Sequence, residues 1–314
     1  MPNALAIVLE KPGQVALSQI EISPPGEGDV EVRTRWSGIS TGTERLLFAG
    51  RMPSFPGMGY PLVPGYESVG TVIRAEPASN LREGQTVFVP GARCFGPVKG
   101  LFGGAAARLV SPASRVVPVP EHLGEKAILF ALAATALHAR KPSPKKGREL
   151  IVGHGVLGRL LARLSIADGG EAPRVWERIP ARKGGATGYD VLSPEVDETA
   201  RYDTIYDVSG DPDILDTLTA RLAPGGEIVL AGFYERPLSF AFPQAFMCEA
   251  RIRVSAEWRE SDLHDVIRHV AEGRLSLDDL ITHRAPASDA ANAYPVAFDD
   301  PNCLKMVLDW STSQ

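Results

Sequence analysis

Cysteine is scarce: Cys94, Cys248 and Cys303 are the only three in 314 residues. Their wide spacing excludes a disulfide framework and any C-x-x-C zinc module, and it fits a reducing compartment. Charge of one sign is not in excess either. The 33 Lys and Arg against 38 Asp and Glu leave a net charge of −5. Both signs are mixed along the chain, so no basic block offers itself to nucleic acid. Long apolar runs are missing as well. The longest, Ala127–Leu137, is too short to span a bilayer. The opening MPNALAIVLEKPGQ puts no basic flank before a long apolar region, so no secretory leader is expected. A cytoplasmic location is expected. No internal repeat or low-complexity segment is visible. The 31 glycines and 26 prolines stay below the share that signals disorder. What remains is a chain long enough for two domains with cores of their own.

The first 120 residues read as β-rich. Leu5–Leu9, Val15–Ile22, Val30–Trp36, Ser68–Ala75, Thr86–Pro90, Ala105–Ser111 and Val116–Val119 cluster or alternate β-branched residues between Pro and Gly punctuation. Short strands at this spacing suggest a small, partly open barrel. Ser37–Pro64 between them is loop-rich. Beyond it, Gly124–Arg140 has helical spacing, and the polar Lys141–Arg148 leads into the apolar Leu150-Ile151-Val152. From there strand and helix alternate. Strands are expected at residues 174–177, 190–192, 204–209, 228–232 and 251–258, with helices at 213–222 and 261–272. That alternation is the signature of a doubly wound parallel sheet. The tail after residue 274 breaks the pattern, with a helix over 287–298 interrupted near Pro295 and a strand over 305–310. The expected plan is a domain over 1–123, completed by 275–314, and a second over 124–274.

The chemistry is most legible at Gly153-His154-Gly155-Val156-Leu157-Gly158, which follows a strand and opens an amphipathic helix. Gly153 allows the tight turn, Gly155 lets the backbone approach a pyrophosphate and Gly158 lets the helix pack closely. The free N–H groups at the helix start would hold the phosphates. Glu177 lies 24 residues past Gly153 at the end of the next strand. An acid there accepts from the adenosine ribose hydroxyls and repels a 2′-phosphate, which points to NAD. Arg178, Arg182 and Lys183 are cations that would instead favour NADP. Ser209 and Gly232 end later strands, where ligands of open α/β sheets bind. His154 is expected at the surface near the pyrophosphate. His138 is expected either in the cleft or in a packing or capping role. His122, His264, His269 and His283 show no partners in sequence and are expected at the surface.

Three stretches carry a resemblance to the medium-chain dehydrogenase/reductase superfamily. Residues 37–44, SGISTGTE, stand where zinc members carry S-G-I-C-G-T-D. Residues 64–70, PGYESVG, stand where they carry P-G-H-E-x-x-G, and residues 135–139, TALHA, resemble T-A-x-x-A. The resemblance covers nearly the whole chain. It implies an α/β protein: a GroES-like β-barrel catalytic domain plus a doubly wound Rossmann domain. Its departures bear on mechanism. Ser40 and Tyr66 replace the cysteine and histidine zinc ligands, the third ligand position falls near Leu132-Ala133, and the four-cysteine zinc lobe is missing. Catalytic zinc needs three ligands from Cys, His, Asp or Glu, so no metal is expected.

Longer strings, GRMPSFPGMGYPLVPGYE, LIVGHGVLGRLLARL, GEIVLAGFY and CLKMVLDW, resemble the part of the superfamily that oxidises the 1-hydroxyethyl side chain of a bacteriochlorophyllide to acetyl with NAD. The implied catalytic set is Tyr66 to polarise the oxygen, Ser40 and Thr43 to orient the hydroxyl, and Glu67 to tune Tyr66 or relay the proton. An equally open reading makes Tyr66 and Glu67 a buried structural pair. A flat apolar macrocycle needs a wide apolar cleft, and Phe55, Met58, Tyr60, Phe95 and Phe233 are the expected walls. Two other functions are open on the sequence: a zinc-free quinone or enone reductase using NADPH, or a scaffold that binds NAD and pigment without turnover. Peripheral contact with a membrane or with other pigment enzymes, and a monomeric or homodimeric state, are likewise open.

Overall fold

The structure is a computed structural model that describes residues 2–313 except 55, 77–78, 142–146 and 200. Phe55 and most of the 141–148 linker therefore lie outside the described residues. The chain divides into two units, Met1–Ala131 with Leu280–Gln314, and Leu132–Asp279. These divisions fall a few residues later than the sequence places them. The reason on the N-terminal side is local. The expected 124–140 helix is instead a 3₁₀ stretch, Glu121–Leu129, kinked at Gly124 with a φ of +52°, followed by an α-helix, Phe130–Arg140. The 3₁₀ stretch packs on barrel strands and stays with the first unit. Among the described residues no helix is long and apolar enough to cross a membrane.

The first unit is built on two sheets. Asp29–Ile39 is the hub of the larger one. It pairs antiparallel with Ser68–Ala75, with Arg108–Pro112 and with the tail strand Met306–Asp309. The smaller sheet holds Gln14–Glu21, Asn3–Lys11, Leu62–Val63 and Lys99–Gly100. Fully buried Ile7, Leu9, Val30, Ile39 and Trp310 belong to the core beneath them. The tail thus supplies a strand to the hub, and its helix, Ala290–Asp299, runs through Pro295 rather than breaking there. Proline removes the hydrogen bond to the carbonyl of Ala291. Both residues are exposed, so water can take that carbonyl.

The second unit holds six parallel strands: β1 Glu149–Val152, β2 Arg174–Trp176, β3 Asp190–Leu192, β4 Tyr202–Asp207, β5 Leu222–Leu230 and β6 Arg251–Val254. Their order in the sheet is 3-2-1-4-5-6, with every pair parallel. Leu150, Ile151 and Val152 are all buried, as strands covered on both faces require. The helix α1, Val156–Ala167, buries Val156, Leu160, Leu161 and Leu164. It ends at Asp168, where Gly169 at φ +72° supplies the left-handed residue that stops a helix. The strand order reverses between β1 and β4, and ligands of such sheets bind beyond the strand ends at that switch.

Candidate functional site

In the first unit the site grows from one strand pair. Asp29–Ile39 and Ser68–Ala75 run antiparallel with Ser37 opposite Ser68, and the Gly38 N–H donates to the Glu67 carbonyl at 2.8 Å. The residues that continue past these ends, Ser40 on one strand and Tyr66 on the other, are therefore brought together. Ser40 Oγ and the Tyr66 hydroxyl are 2.6 Å apart. The Thr43 side chain also hydrogen-bonds Tyr66, and the Phe102 ring stands edge-on to Tyr66 at 5.2 Å between centroids. Tyr66 is 9% exposed and Ser40 3%. Burial, reinforced by the neighbouring Glu67 charge, pushes the Tyr66 phenol well above its ordinary value of 10.0. The phenol is thus a neutral hydrogen-bond donor across the physiological range, not a tyrosinate.

Glu67, expected to tune Tyr66 or relay its proton, is held by the tail. It is fully buried, and Lys305 Nζ donates to its two carboxylate oxygens at 2.9 and 2.7 Å. Lys305 also donates to the Ile39 carbonyl at 3.2 Å. The tail strand puts it there, because Met306 stands opposite Ile39. Both Glu67 oxygens thus accept from one buried ammonium, and its charge adds to the upward shift of Tyr66. Glu44, one residue into the helix Thr43–Phe48, is a member of the site that the sequence reading did not assign. Its Oε1 accepts the Ser40 N–H at 3.0 Å and its Oε2 accepts the Tyr294 hydroxyl at 2.7 Å. Burial raises its pKa from 4.5 to about 7. The only sequence signal was an acid closing the altered motif.

The donor set does not fit zinc. Ser40 and Tyr66 are neutral hydroxyls and Glu67 is spent on Lys305. Among the described residues no group of three or more His, Cys, Asp or Glu side chains is placed to hold a metal ion. Of the expected apolar walls in this unit, Phe95 is 1% exposed and belongs to the core instead. Its position after a buried cysteine on a short loop folds it inward rather than toward a ligand. Met58 and Tyr60 are partly buried against the same core, and the Tyr60 hydroxyl donates to the Leu47 carbonyl.

In the second unit the residues predicted from the glycine motif meet at the carboxyl edge of the sheet. Gly153 sits at φ +107°, a left-handed conformation that glycine adopts without strain. A Cβ on Gly158 would collide with the Gly153 carbonyl oxygen, whereas a Cβ on Gly155 would meet nothing within 4 Å. The turn is packed on its protein side and open above Gly155, a cradle suited to a pyrophosphate at the N-terminus of α1. The Gly153 N–H donates to the Trp176 carbonyl and the Val208 N–H to the Val152 carbonyl, which aligns the three strand ends. Asp207 then fixes the next loops. Its Oδ1 accepts the Ser209 N–H at 2.9 Å and hydroxyl at 2.7 Å, its Oδ2 accepts the Tyr234 hydroxyl at 2.8 Å, and its carbonyl accepts the Gly232 N–H at 3.0 Å. Phe233 follows, 40% exposed.

Glu177 caps β2. Its carboxylate accepts the His154 N–H at 3.0 Å and the Ile179 N–H at 2.8 Å, and a carboxylate has lone pairs left for ribose hydroxyls. Of the cations that would favour a 2′-phosphate, Arg178 pairs with Asp211 at 3.7 Å and Lys183 donates to Ser193. His154 is a correction: it is fully buried, not at the surface. Its ring is held by the Arg182 carbonyl and the Tyr189 hydroxyl, and its backbone N–H and carbonyl by Glu177 and Arg159. His138 meets Asp262 at 2.7 Å, a packing contact between helices. His283 also has partners, Asp300 and Thr282, because the tail folds back on itself.

Comparison with known proteins adds three findings. The alcohol dehydrogenase GroES-like domain family matches residues 26–121. The 2-desacetyl-2-hydroxyethyl bacteriochlorophyllide A dehydrogenases of Rhodobacter capsulatus and Cereibacter sphaeroides are each 53% identical to the chain. The matches cover 98% and 97% of this chain, and 98% of each relative. A solved structure of a short chain alcohol dehydrogenase from Escherichia coli CFT073, complexed with NADH, superposes with a TM-score of 0.83 at 22% identity. It covers 98% of this chain and 100% of that one, which is a likeness of fold.

Proposed function

The chain belongs to the 2-desacetyl-2-hydroxyethyl bacteriochlorophyllide A dehydrogenases of the medium-chain dehydrogenase/reductase superfamily, and from that membership we propose that it oxidises the 3-(1-hydroxyethyl) group of a bacteriochlorophyllide to 3-acetyl, with NAD⁺ as acceptor and without zinc. The observation that carries this reading is the 53% identity sustained over 98% of both chains. The reaction converts a secondary alcohol and NAD⁺ to a ketone, NADH and one proton.

When bound, a nicotinamide would supply the hydride acceptor. The protein's own residues do the rest. Gly155, Val156 and Leu157 present the backbone N–H groups that would hold the pyrophosphate, and Glu177 takes the adenosine ribose. Its charge, with Arg178 and Lys183 turned to other partners, supports NAD over NADP. Tyr66 takes the role of a zinc ion by donating a hydrogen bond to the substrate oxygen as it becomes a carbonyl. Ser40 and Thr43 hold Tyr66 in place. As the substrate hydroxyl gives its proton to the Tyr66 oxygen, Tyr66 passes its own to Ser40 and Ser40 passes its own to solvent water, and the proton newly on Tyr66 donates to the product carbonyl. Met58 and Tyr60 are the apolar groups of the first unit assigned to the pigment.

The test is direct. Purified protein, NAD⁺ and the hydroxyethyl pigment should give a shift in pigment absorption as the acetyl group joins the conjugated ring, with one NADH per pigment. Tyr66→Phe should lower kcat by about 10²–10⁴, the range for a positioned proton-transfer group, while keeping its Tm. No shift with both ligands bound would remove the dehydrogenase reading, and full turnover by Tyr66→Phe would remove the tyrosine.

A further inference from the structure

Every polar group of His154 is spent on the segment that follows β2 or on α1. Its N–H donates to Glu177, and its carbonyl accepts from Arg159 Nε at 3.1 Å. Nδ1 lies 2.7 Å from the Arg182 carbonyl and Nε2 lies 2.9 Å from the Tyr189 hydroxyl. A carbonyl only accepts, so Nδ1 carries the proton and Nε2 accepts from Tyr189. Burial lowers the imidazole pKa to about 4, which keeps this neutral tautomer in place.

Arg159, in the first turns of α1, is 4% exposed. Its guanidinium bonds go to backbone carbonyls: His154, Arg182 at 3.1 Å and Gly184 at 2.7 Å. A buried cation is tolerated only when its donors are satisfied. Here the satisfaction comes from two points on the 178–189 loop and one on the glycine turn. The phosphate turn and the loop that bears Arg178, Arg182 and Lys183 are thus fastened to each other through one guanidinium and one imidazole. Glu177 lies between the two fastenings, with both carboxylate oxygens already aligned by backbone N–H groups.

We propose that Arg159 and His154 are positioning residues for cofactor selection: they clasp the 177–189 segment to the glycine turn, so that Glu177 rather than the following cations is presented to the adenosine ribose. The proposal rests on the NAD reading above. If the clasp loosens, the loop cations gain freedom to approach a 2′-phosphate and Glu177 loses its fixed place.

The test reads binding rather than turnover. Kd values for NAD⁺ and for NADP⁺ are measured by calorimetry on the wild-type protein, Arg159→Met and Tyr189→Phe. Arg159→Met removes three carbonyl contacts while keeping an unbranched side chain. It should weaken NAD⁺ by about tenfold or more, with NADP⁺ unchanged or tighter, so the preference for NAD⁺ falls by at least that factor. Tyr189→Phe removes a single hydrogen bond, leaves the fold intact and should move the preference the same way by a few-fold. Equal weakening of both dinucleotides, or an unmoved preference in Tyr189→Phe with Arg159→Met unfolded, would overturn the clasp. A wild-type protein that prefers NADP⁺ would overturn the NAD reading and the proposal with it, whereas a fixed ratio in an NAD⁺-preferring protein overturns the clasp alone.

Discussion

Glu44 shows how a single buried carboxyl can set a pH dependence. It meets one N–H, from Ser40, and one O–H, from Tyr294. Glu67 and Lys305 are the charged groups nearby, and they oppose each other in their effect on it. Burial outweighs all of these and lifts its pKa from 4.5 to about 7. A carboxyl with a raised folded-state pKa holds its proton more tightly in the native state than in the unfolded chain. Its contribution to stability therefore falls as pH rises from about 4.5 to about 7 and is flat above that, a loss of about 3 kcal/mol when complete. Glutamine at this position can accept the Ser40 N–H and meet Tyr294 without a titrating proton. Denaturant titrations of wild type and Glu44→Gln at pH 5 and pH 8 should show a stability drop in the wild type that is smaller in the variant by about that amount. An identical drop in both proteins would remove Glu44 as the group responsible.

At the scale of elements, the tail strand matters most, because it carries Lys305 to Glu67. Removing one partner of a buried ion pair leaves the other charge without compensation, a cost of about 3–5 kcal/mol. Lys305→Met should lose that much in urea unfolding, and Lys305→Met with Glu67→Gln should recover most of it. A double variant no more stable than the single one would mean that the lysine acts through its packing instead. This pairing also marks the limit of what the sequence can express. The glycine turn, Glu177, Ser209 and Gly232 were legible because a βαβ unit is local: strand, turn and helix follow one another, and parallel order places their ends on one edge. Ser40 and Tyr66 were legible as a pair through the resemblance, which sets both where zinc ligands stand, and the structure brings them to 2.6 Å. Lys305 and Tyr294 were not, since they lie 238 and 250 residues from the groups they touch and no local periodicity encodes such a meeting. Phe95 and His154 failed for another reason. Side-chain type gives a residue's chemistry but not the direction it points, and both point inward.

At the scale of the whole molecule, the question is what a dehydrogenase of this architecture does when its barrel holds hydroxyls in place of zinc ligands. A bound zinc would add a double positive charge beside the reacting oxygen and polarise it directly. This barrel has one buried cation there, Lys305, and its charge is offset by Glu67 at hydrogen-bond distance. On the proposed mechanism, stabilisation of the reacting oxygen falls to the Tyr66 phenol, which burial keeps protonated. Two consequences follow from that division of labour. On the proposed mechanism, activity should survive prolonged dialysis against a strong chelator, since none of its steps draws on a metal. Elemental analysis of the active protein should find well below one zinc per chain. A protein that loses turnover on chelation and regains it with zinc would show that ligands outside Ser40, Tyr66 and Glu67 had been recruited, and the hydroxyl pair would then be reduced to a structural contact at the end of two strands.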